Sequence, residues 1–310
     1  MRVLATIGFS FSAGVFLAAL LPWNGWQLYA AGGVLLLALA WLFAARKQKY
    51  FRRGLLILLP LAVSLAYFAG YDHLVRQPIE DRCGAASDFT ATVCDWPQAT
   101  ERGAKITVEL EGYHRARAVL YGEAELLAAR PGDTVTGTAQ WQSAAHFDSD
   151  DVTHFNARGV YALLYGREDV RLSAGDGDAL RWLPQRAGKA FREKVAAIWD
   201  DPRVSGFLTA ELTGDKSAMD DGDYLAMQET GLAHLFAVSG LHCAFLVTLL
   251  ALLISRRQRL LCAVTIPLLL FYMVMVGMSP SVVRACIMQI FLLIAPLFRR
   301  GSDPLTSLAA

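Results

Sequence analysis

Charged residues are scarce in this chain, and their scarcity sets its class. They make up 18% of the 310 residues, whereas 55% are hydrophobic and the mean hydropathy is +0.35. An ordinary soluble domain carries about 25% charged residues. The net charge of +1 also excludes a bulk attraction to nucleic acid or anionic lipid. Any electrostatic function must therefore be local.

Motifs for metal and redox chemistry are absent. The five cysteines form no C-x-x-C pair, and the sequence contains no H-x-H-x-D-H metal motif. The acidic cluster around Gly222 lacks the D-x-D-x-D-G spacing of a calcium loop and is more typical of turns and helix caps. We therefore expect no metal, no cofactor and no catalytic residue.

Apolar runs of membrane-spanning length are abundant. A bilayer is crossed by about 20 helical residues. Six runs approach or reach this length: Val3–Leu21, Trp26–Ala45, Gly54–Tyr71, Leu235–Ile254, Leu260–Gly277 and Val282–Phe298. The first run is longer than the apolar core of a signal peptide and ends without an A-x-A site, so we interpret it as an uncleaved helix. A signal peptide is the alternative.

The short loops predict how these spans cross the membrane. Basic residues are concentrated after spans two, four and six: Arg46, Lys47, Lys49, Arg52 and Arg53; Arg256, Arg257 and Arg259; Arg299 and Arg300. Basic loops stay in the cytoplasm. The pattern predicts a multi-pass protein of the cytoplasmic (inner) membrane with a cytoplasmic N-terminus. Residues from about 72 to 234 are then extracytoplasmic.

The extracytoplasmic block changes from helical to alternating periodicity. Five strands are predicted, at Phe89–Val93, Lys105–Leu110, Arg115–Leu120, Thr134–Trp141 and Gly159–Tyr165. A helix-prone stretch, Glu123–Ala129, lies between the third and fourth strands. This order favours a small OB-like β-barrel, with a plain antiparallel sandwich as the alternative. Glu80–Arg171 contains 15 acidic and 9 basic residues, a net charge of −6 that argues against DNA binding except by a local basic stripe.

Two further features are predicted outside the membrane. Cys83 and Cys94 lie in the extracytoplasmic block, where an oxidising compartment favours a disulfide between them over two free thiols. Leu180–Trp199 has apolar residues at helical spacing and basic residues on other faces. It is predicted to be an amphipathic helix on the membrane interface, with packing against the barrel as an alternative.

The fourth span carries unusual polar residues for a membrane helix. His234, Ser239, Gly240 and His242 lie at or near its start, and Arg284 lies near one end of the sixth span. Polar groups in hydrocarbon need internal partners, so these residues predict either a water-filled conduit or hydrogen bonds between helices. A Ser239–His242 nucleophile and base would need an orienting acid, and none is evident in the sequence.

Several blocks resemble the ComEC family of competence proteins, which import DNA in natural transformation. They are Leu212–Lys216, Thr230–His234, Ala237–His242 and Ser279–Ala285, in the order and spacing of that family. Within them, the competence-motif residues are Gly214, Asp215, Gly231, Ser279, Pro280 and Ser281. Upstream, Arg130–Asp133 and Phe155–Val160 resemble the family's OB-like extracytoplasmic domain.

The resemblance implies a polytopic α-helical membrane protein with an inserted extracytoplasmic OB-like barrel. Its regions would be a three-helix part (1–75), the barrel (76–175), an interfacial helix (176–204) and a channel part truncated at its C-terminus (205–310). The implied function is uptake of single-stranded DNA, with His234, Ser239, Gly240, His242 and Arg284 along the DNA path. A membrane-bound hydrolase and a non-transporting scaffold are the alternatives.

The resemblance also implies partners. They are single-stranded DNA, membrane lipid, the DNA-uptake machinery, a cytoplasmic DNA translocase or binding protein, and further copies of the chain in a homo-oligomer. The metallo-β-lactamase-like domain of longer members has no counterpart in this sequence, so no nuclease activity is expected of these residues. We interpret the chain as either a fragment or a degenerate member.

Overall fold

The computed structural model describes residues 3–20, 27–44, 51–101, 103–114, 116–144, 155, 158–167, 169–215, 219–231, 240–254 and 257–298. Three of its helical stretches are long and apolar enough to cross a membrane, namely Gly54–Glu80, Gln258–Met275 and Pro280–Phe298. Three shorter apolar helices coincide with the other predicted spans. These helices fit a membrane protein.

The chain divides into two units, residues 1–78 with 290–310 and residues 79–289. In the first unit, α1 (Val3–Leu20) and α2 (Gln27–Ala44) both contact α3 (Phe51–Tyr71). A π-helical turn, Asp72–Arg76, and the short α4 (Gln77–Glu80) continue α3.

Small residues bring the helices of the first unit together. Ala18, Ala31 and Leu65 form a buried cluster, one residue from each helix. A Cβ atom on Gly14 would collide with the Ser64 hydroxyl, so glycine permits the close approach of α1 to α3. Ser64 donates its own hydrogen bond to the Leu61 carbonyl at 2.8 Å, which satisfies the hydroxyl inside its helix.

The second unit begins with a β-domain of seven strands. They are β1 (Ala86–Val93), β2 (Gln98–Thr100), β3 (Gly103–Leu110), β4 (Arg117–Gly122), β5 (Thr134–Ser143), β6 (Val160–Gly166) and β7 (Arg171–Ser173). A short 3₁₀ helix, Ala124–Ala128, lies between β4 and β5, where a helix-prone stretch is predicted. The predicted strands all occur.

Five of the strands close into a barrel. The hydrogen-bonded order is β1-β3-β4-β6-β5, and β5 pairs with β1 to complete the circle, from Ala86 opposite Gln140 to Thr92 opposite Thr134. Only β4 and β6 pair in parallel among these neighbours. The short β2 extends β3, and β7 extends β5. Closure removes the free sheet edges that a plain sandwich would leave.

The barrel interior follows the predicted alternation. The buried side chains of β3 are Ala104, Ile106, Val108 and Leu110, whereas the residues between them are partly exposed. Trp141 on β5 is 1% exposed and is the largest fully buried side chain of the described residues. Its indole N–H donates to the Ser87 carbonyl at 3.3 Å, so the ring nitrogen is satisfied inside the core.

The predicted disulfide is wrong, because a strand separates the two cysteines. Cys83 precedes β1 and Cys94 follows it, and both are free thiols. An eight-residue strand extends over about 26 Å, far beyond the reach of a disulfide. Each thiol donates to a nearby carbonyl instead, Cys83 to Ile79 at 3.4 Å and Cys94 to Thr92 at 3.6 Å.

Six helices follow the barrel in the part of the chain that the structure describes. They are α5 (Leu183–Ile198), preceded by a 3₁₀ turn Leu180–Trp182, then α6 (Pro202–Thr213), α7 (Asp221–Glu229), α8 (Gly240–Ile254), α9 (Gln258–Met275) and α10 (Pro280–Ile294), which continues into the 3₁₀ turn Ala295–Phe298. Helix α5 contacts both α6 and α9, and α8 contacts α9.

Helix α5 buries one large residue of the predicted apolar stripe. Val195 is buried together with Gly188, whereas Leu180, in the preceding 3₁₀ turn, is 84% exposed and Ile198 is 68% exposed. A Cβ atom on Gly188 would lie 3.3 Å from a side-chain carbon of Met275, so this glycine sets the approach to α9. Apart from Val195, the large residues of the apolar stripe are left exposed by the residues that the structure describes.

Candidate functional site

The candidate site is built on α6, a short helix held at both ends. Its N-cap Asp201 accepts a hydrogen bond from the Arg203 backbone N–H at 2.9 Å, and Pro202 occupies the first turn, where its missing N–H costs nothing. The helix ends at Gly214, whose φ of +73° suits the left-handed cap. These ends fix the last turn of α6, which carries Glu211.

Glu211 contacts the first turn of α8. Its Oε1 atom lies 3.5 Å from Nε2 of His242, and the two side chains are 32% and 20% exposed. A carboxylate at this distance restrains the orientation of the imidazole ring. The pair therefore joins two elements that are 31 residues apart in sequence.

Two further contacts hold the same end of α6. The Tyr272 hydroxyl of α9 donates to the Leu212 carbonyl at 3.3 Å, which satisfies an acceptor near the open helix end. Arg192 of α5 forms an ion pair with Asp215 at 3.5 Å, with side chains only 25% and 18% exposed. Helices α5, α8 and α9 thus each anchor the last turn of α6 or its cap.

The acidic cluster around Gly222 is neutralised by arginine. The Arg203 guanidinium donates to both carboxylate oxygens of Asp223, at 3.1 and 2.9 Å, and Asp220 lies 3.8 Å away. Asp220 is the N-cap residue of α7, although its side chain makes no capping hydrogen bond. Among the residues described, no group of three or more histidine, cysteine or acidic side chains is arranged to hold a metal.

Helices α8 and α10 approach closely near His242. The Sγ atoms of Cys243 and Cys286 are 3.6 Å apart and both residues are fully buried. A Cβ atom on Gly240 would lie 3.5 Å from Cβ of Ala285, which is ordinary van der Waals contact and shows how near the two helices lie. Cys243, Cys286, Gly240 and Ala285 are small, and they let the first turn of α8 pack against α10.

The other predicted residues fall in different places. His234 and Ser239 lie outside the described residues. Arg284 lies on α10 with an exposed side chain. Gly231 follows α7 with a φ of +74°, and its N–H donates to the Gln228 carbonyl at 3.0 Å. The structure therefore brings His242, Gly240 and the Gly214–Asp215 turn together and leaves Arg284 apart from the Glu211–His242 contact.

The motif around Pro280 begins α10 as expected. Pro280 is the first helical residue, and the Ser279 carbonyl accepts from the Val283 N–H at 3.0 Å. Ser281 follows within the first turn. Proline fits this position because no hydrogen bond is required of its nitrogen.

Sequence reasoning missed Glu211 as the partner of His242. A signal was available, since Glu211 is the only acid in α6, whose other residues are mostly apolar or small. A single acid near the C-terminal end of a helix whose neighbouring residues are apolar or small marks a paired or functional site in a membrane protein. The pairing itself depends on the tertiary fold and has no local signature.

Residues 212–310 match the protein family described as Competence protein. Over these residues the chain is similar to the ComEC family of competence proteins. The predicted resemblance is confirmed for this region, which holds α8, α9 and α10 together with Gly214, Asp215 and His242. The match begins at Leu212, so the barrel lies outside it.

One curated relative is ComE operon protein 3 of Bacillus subtilis (strain 168). It is 35% identical over 91 residues, which is 28% of this chain and 12% of the relative. The aligned region therefore spans a small share of that protein's length. No solved structure matches the chain.

Proposed function

We propose that this competence-family chain is a membrane channel subunit that passes single-stranded DNA inward during natural transformation. The observation that carries the proposal is the Competence match over residues 212–310, which covers three apolar helices. The Glu211–His242 contact and the Arg192–Asp215 ion pair lie beside these helices. Charged side chains at such positions are costly unless they are paired or face water, which is what a conduit supplies.

The proposed path involves the polar beginning of the fourth span. His234, Ser239, Gly240 and His242 would line it, with Glu211 setting the orientation of the His242 ring. Arg284 would contact phosphate groups, since a guanidinium pairs well with phosphate oxygens. Its exposed side chain on α10 is compatible with that role.

The barrel is proposed to be an OB-like domain on the outer side of the membrane. Renumbered along the chain, its five barrel strands follow the order 1-2-3-5-4-1, with a short helix between the third and fourth. This Greek-key closure is typical of OB folds. The exposed apolar stripe of α5 would lie on the membrane interface, and the basic loops would keep the N-terminus in the cytoplasm.

The proposed partners follow from this role. They are single-stranded DNA, membrane lipid, the DNA-uptake machinery on the outside and a DNA translocase or binding protein in the cytoplasm, with further copies of the chain as a homo-oligomer. We assign no nuclease activity to these residues. Degradation of the second strand would fall to a different domain or protein.

The test is transformation frequency in cells that carry the chain with substitutions at the α6–α8 contact. Glu211→Gln and His242→Gln should each lower transfer at least fivefold, because either change loosens the first turn of α8 by about 1 kcal/mol. The double variant should be no worse than the worse single variant, because both remove the same contact.

Glu229→Gln is the matched control, because Glu229 is an exposed acid at the end of α7. It should transform like the parent, with equal amounts of protein in the membrane. Parental transfer by both α6–α8 variants would refute the role of the pair, and parental transfer by a strain lacking the chain would refute the proposed function.

A membrane-bound hydrolase is the second candidate, and one observation favours it. A Ser239–His242 nucleophile and base would need an orienting acid, which the sequence alone did not identify. In the structure, Glu211 places a carboxylate beside the imidazole. Ser239→Ala discriminates between the two functions. It should abolish a hydrolase, whereas a channel that loses one hydroxyl should keep most of its transfer.

A further inference from the structure

A row of polar and aromatic side chains crosses the outer face of the barrel. Lys105 on β3 stands opposite Tyr121 on β4, Tyr121 opposite Tyr165 on β6, and Tyr165 opposite Gln140 on β5. The neighbouring residues Leu120 and Leu164 are fully buried in the interior. Because side chains alternate along a strand, Tyr121 and Tyr165 point outward.

The two tyrosine rings are stacked. Their centroids are 5.3 Å apart and their planes differ by 13°. Tyr121 also packs against a buried cluster that includes Val119, Leu163 and Phe155, which restrains its ring. Tyr165 is 39% exposed, so part of its ring remains open to solvent. The pair is a rigid aromatic surface on the outside of an otherwise acidic domain.

Basic residues lie on one side of this pair. Burial, and then the nearby positive charge of Arg158, lower the pKa of Lys105. An anion beside Lys105 would relieve that repulsion. Glu123 follows Tyr121 by two residues, and Asp169 bonds to Thr138. Lys105 stands directly opposite Tyr121, and Arg158 lies near Lys105.

We propose that Tyr121, Tyr165 and Lys105 form a stacking site for single-stranded nucleic acid, in which a base lies on the tyrosine pair and Lys105 with Arg158 contacts the adjacent phosphates. Aromatic platforms with flanking cations bind single strands in this way, because every base offers a π face and every linkage a charge. A duplex hides its base faces and would be held less well. The site deepens the proposed function, since it states where the barrel would engage the strand.

Binding by the purified full chain in detergent tests the site. The probe is a fluorescein-labelled 20-residue oligothymidylate followed by anisotropy, with a blunt duplex of equal length for comparison. Tyr165→Ala should weaken oligothymidylate binding about 5- to 150-fold, the range expected for loss of one stacked base. Lys105→Gln should reduce the slope of log affinity against log salt by about 0.7, which corresponds to one lost phosphate contact.

Tyr165→Phe is the matched control, because it keeps the ring and removes only the hydroxyl. It should bind within about twofold of the parent. Should Tyr165→Ala fail to fold, judged by circular dichroism, Tyr165→Ile retains strand propensity without a π face and replaces it. Parental affinity in the variant that lacks the ring, or equal affinity of the parent for duplex and single strand, overturns the site.

Failure of this site can be separated from failure of the proposed function. If Tyr165→Ala binds and transforms like the parent while deletion of the chain abolishes transformation, the stacking site is wrong and the channel proposal stands. If the ring is needed for oligothymidylate binding but deletion leaves transformation unchanged, the stacking site stands and the channel proposal is wrong.

Discussion

Cys83 and Cys94 retain their protons more firmly than ordinary thiols. Burial, and then the charge of Glu80, raises the pKa of Cys83 to about 11. Burial, and then Glu109, raises the pKa of Cys94 to about 12. The reactive form of cysteine is the thiolate. At pH 8 both residues should therefore react with maleimide more than about 100-fold more slowly than free cysteine, whose pKa is about 8.5.

Peptide mass spectrometry after timed labelling measures these rates. They should rise steeply between pH 9 and pH 11 at roughly tenfold per unit, because the thiolate fraction rises tenfold with each unit below the pKa. Cys83→Ser and Cys94→Ser identify the two signals. Rapid labelling at pH 8, or recovery of a disulfide-linked Cys83–Cys94 peptide pair without reductant, would contradict the conclusion that both residues are free, partly buried thiols.

At the scale of elements, one tryptophan attaches the barrel to α5. The Trp96 indole N–H donates to the Gln185 carbonyl at 3.0 Å, and Lys189 Nζ lies 3.8 Å from the centre of the ring. Gln185 and Lys189 lie on successive turns of α5, so the Trp96 side chain contacts two turns of the helix. Helix α5 in turn contacts α6 and α9.

Trp96→Phe and Trp96→Ala should separate the contribution of the hydrogen bond to Gln185 from that of the ring contact with Lys189. The phenylalanine variant loses the indole hydrogen bond and keeps a ring under Lys189, so unfolding free energy should fall by about 1 kcal/mol. The alanine variant loses the ring as well and should cost about 2 to 3 kcal/mol. Thermal unfolding in detergent measures both.

Trp199→Phe is the control for these variants, because Trp199 lies just beyond the end of α5 and is 43% exposed. It should unfold like the parent. Equal stability of Trp96→Ala and the parent would mean that the barrel and α5 are not held by this contact.

The five barrel strands were predictable from the sequence, whereas the short strands β2 and β7 were not. β1 and β3 alternate between buried apolar and outward residues, a pattern that local sequence carries. β2 and β7 are three residues long and bury none of their residues, so no alternation between buried and exposed residues marks them. Pairing of β1 with β5 joins residues about 50 apart, and no local pattern encodes it.

The candidate site was predictable only in part, because local residue patterns can be seen in the sequence and tertiary contacts cannot. His242 and Gly214 stood out because their residue types are unusual beside apolar runs. Glu211 did not, since its importance comes from a contact across 31 residues. The predicted disulfide between Cys83 and Cys94 was wrong. An oxidising compartment and the presence of two cysteines in one domain favour pairing, but the strand between them keeps the two thiols too far apart.

For the whole molecule, the threading of the chain through the membrane depends on α8. The helix described, Gly240–Ile254, has 15 residues and is about 22 Å long, whereas a hydrocarbon core is about 30 Å thick. The predicted span begins earlier, at Leu235. If α8 does not cross, every later loop changes sides and the basic loop at Arg256–Arg259 moves outside.

Reporter fusions decide this threading. Alkaline phosphatase should be active when fused after Asp178 or Met278, and green fluorescent protein should fluoresce when fused after Lys47 or Arg257. The expected pattern follows because basic loops resist translocation, whereas the loop after Met278 carries no basic residue. Replacing Arg256, Arg257 and Arg259 by glutamine should weaken this preference and yield mixed activity at the Arg257 fusion. Active phosphatase after Arg257 in the parent chain would mean that the fourth span stays on one side of the membrane, and a conduit opened by His242 would then have no path across.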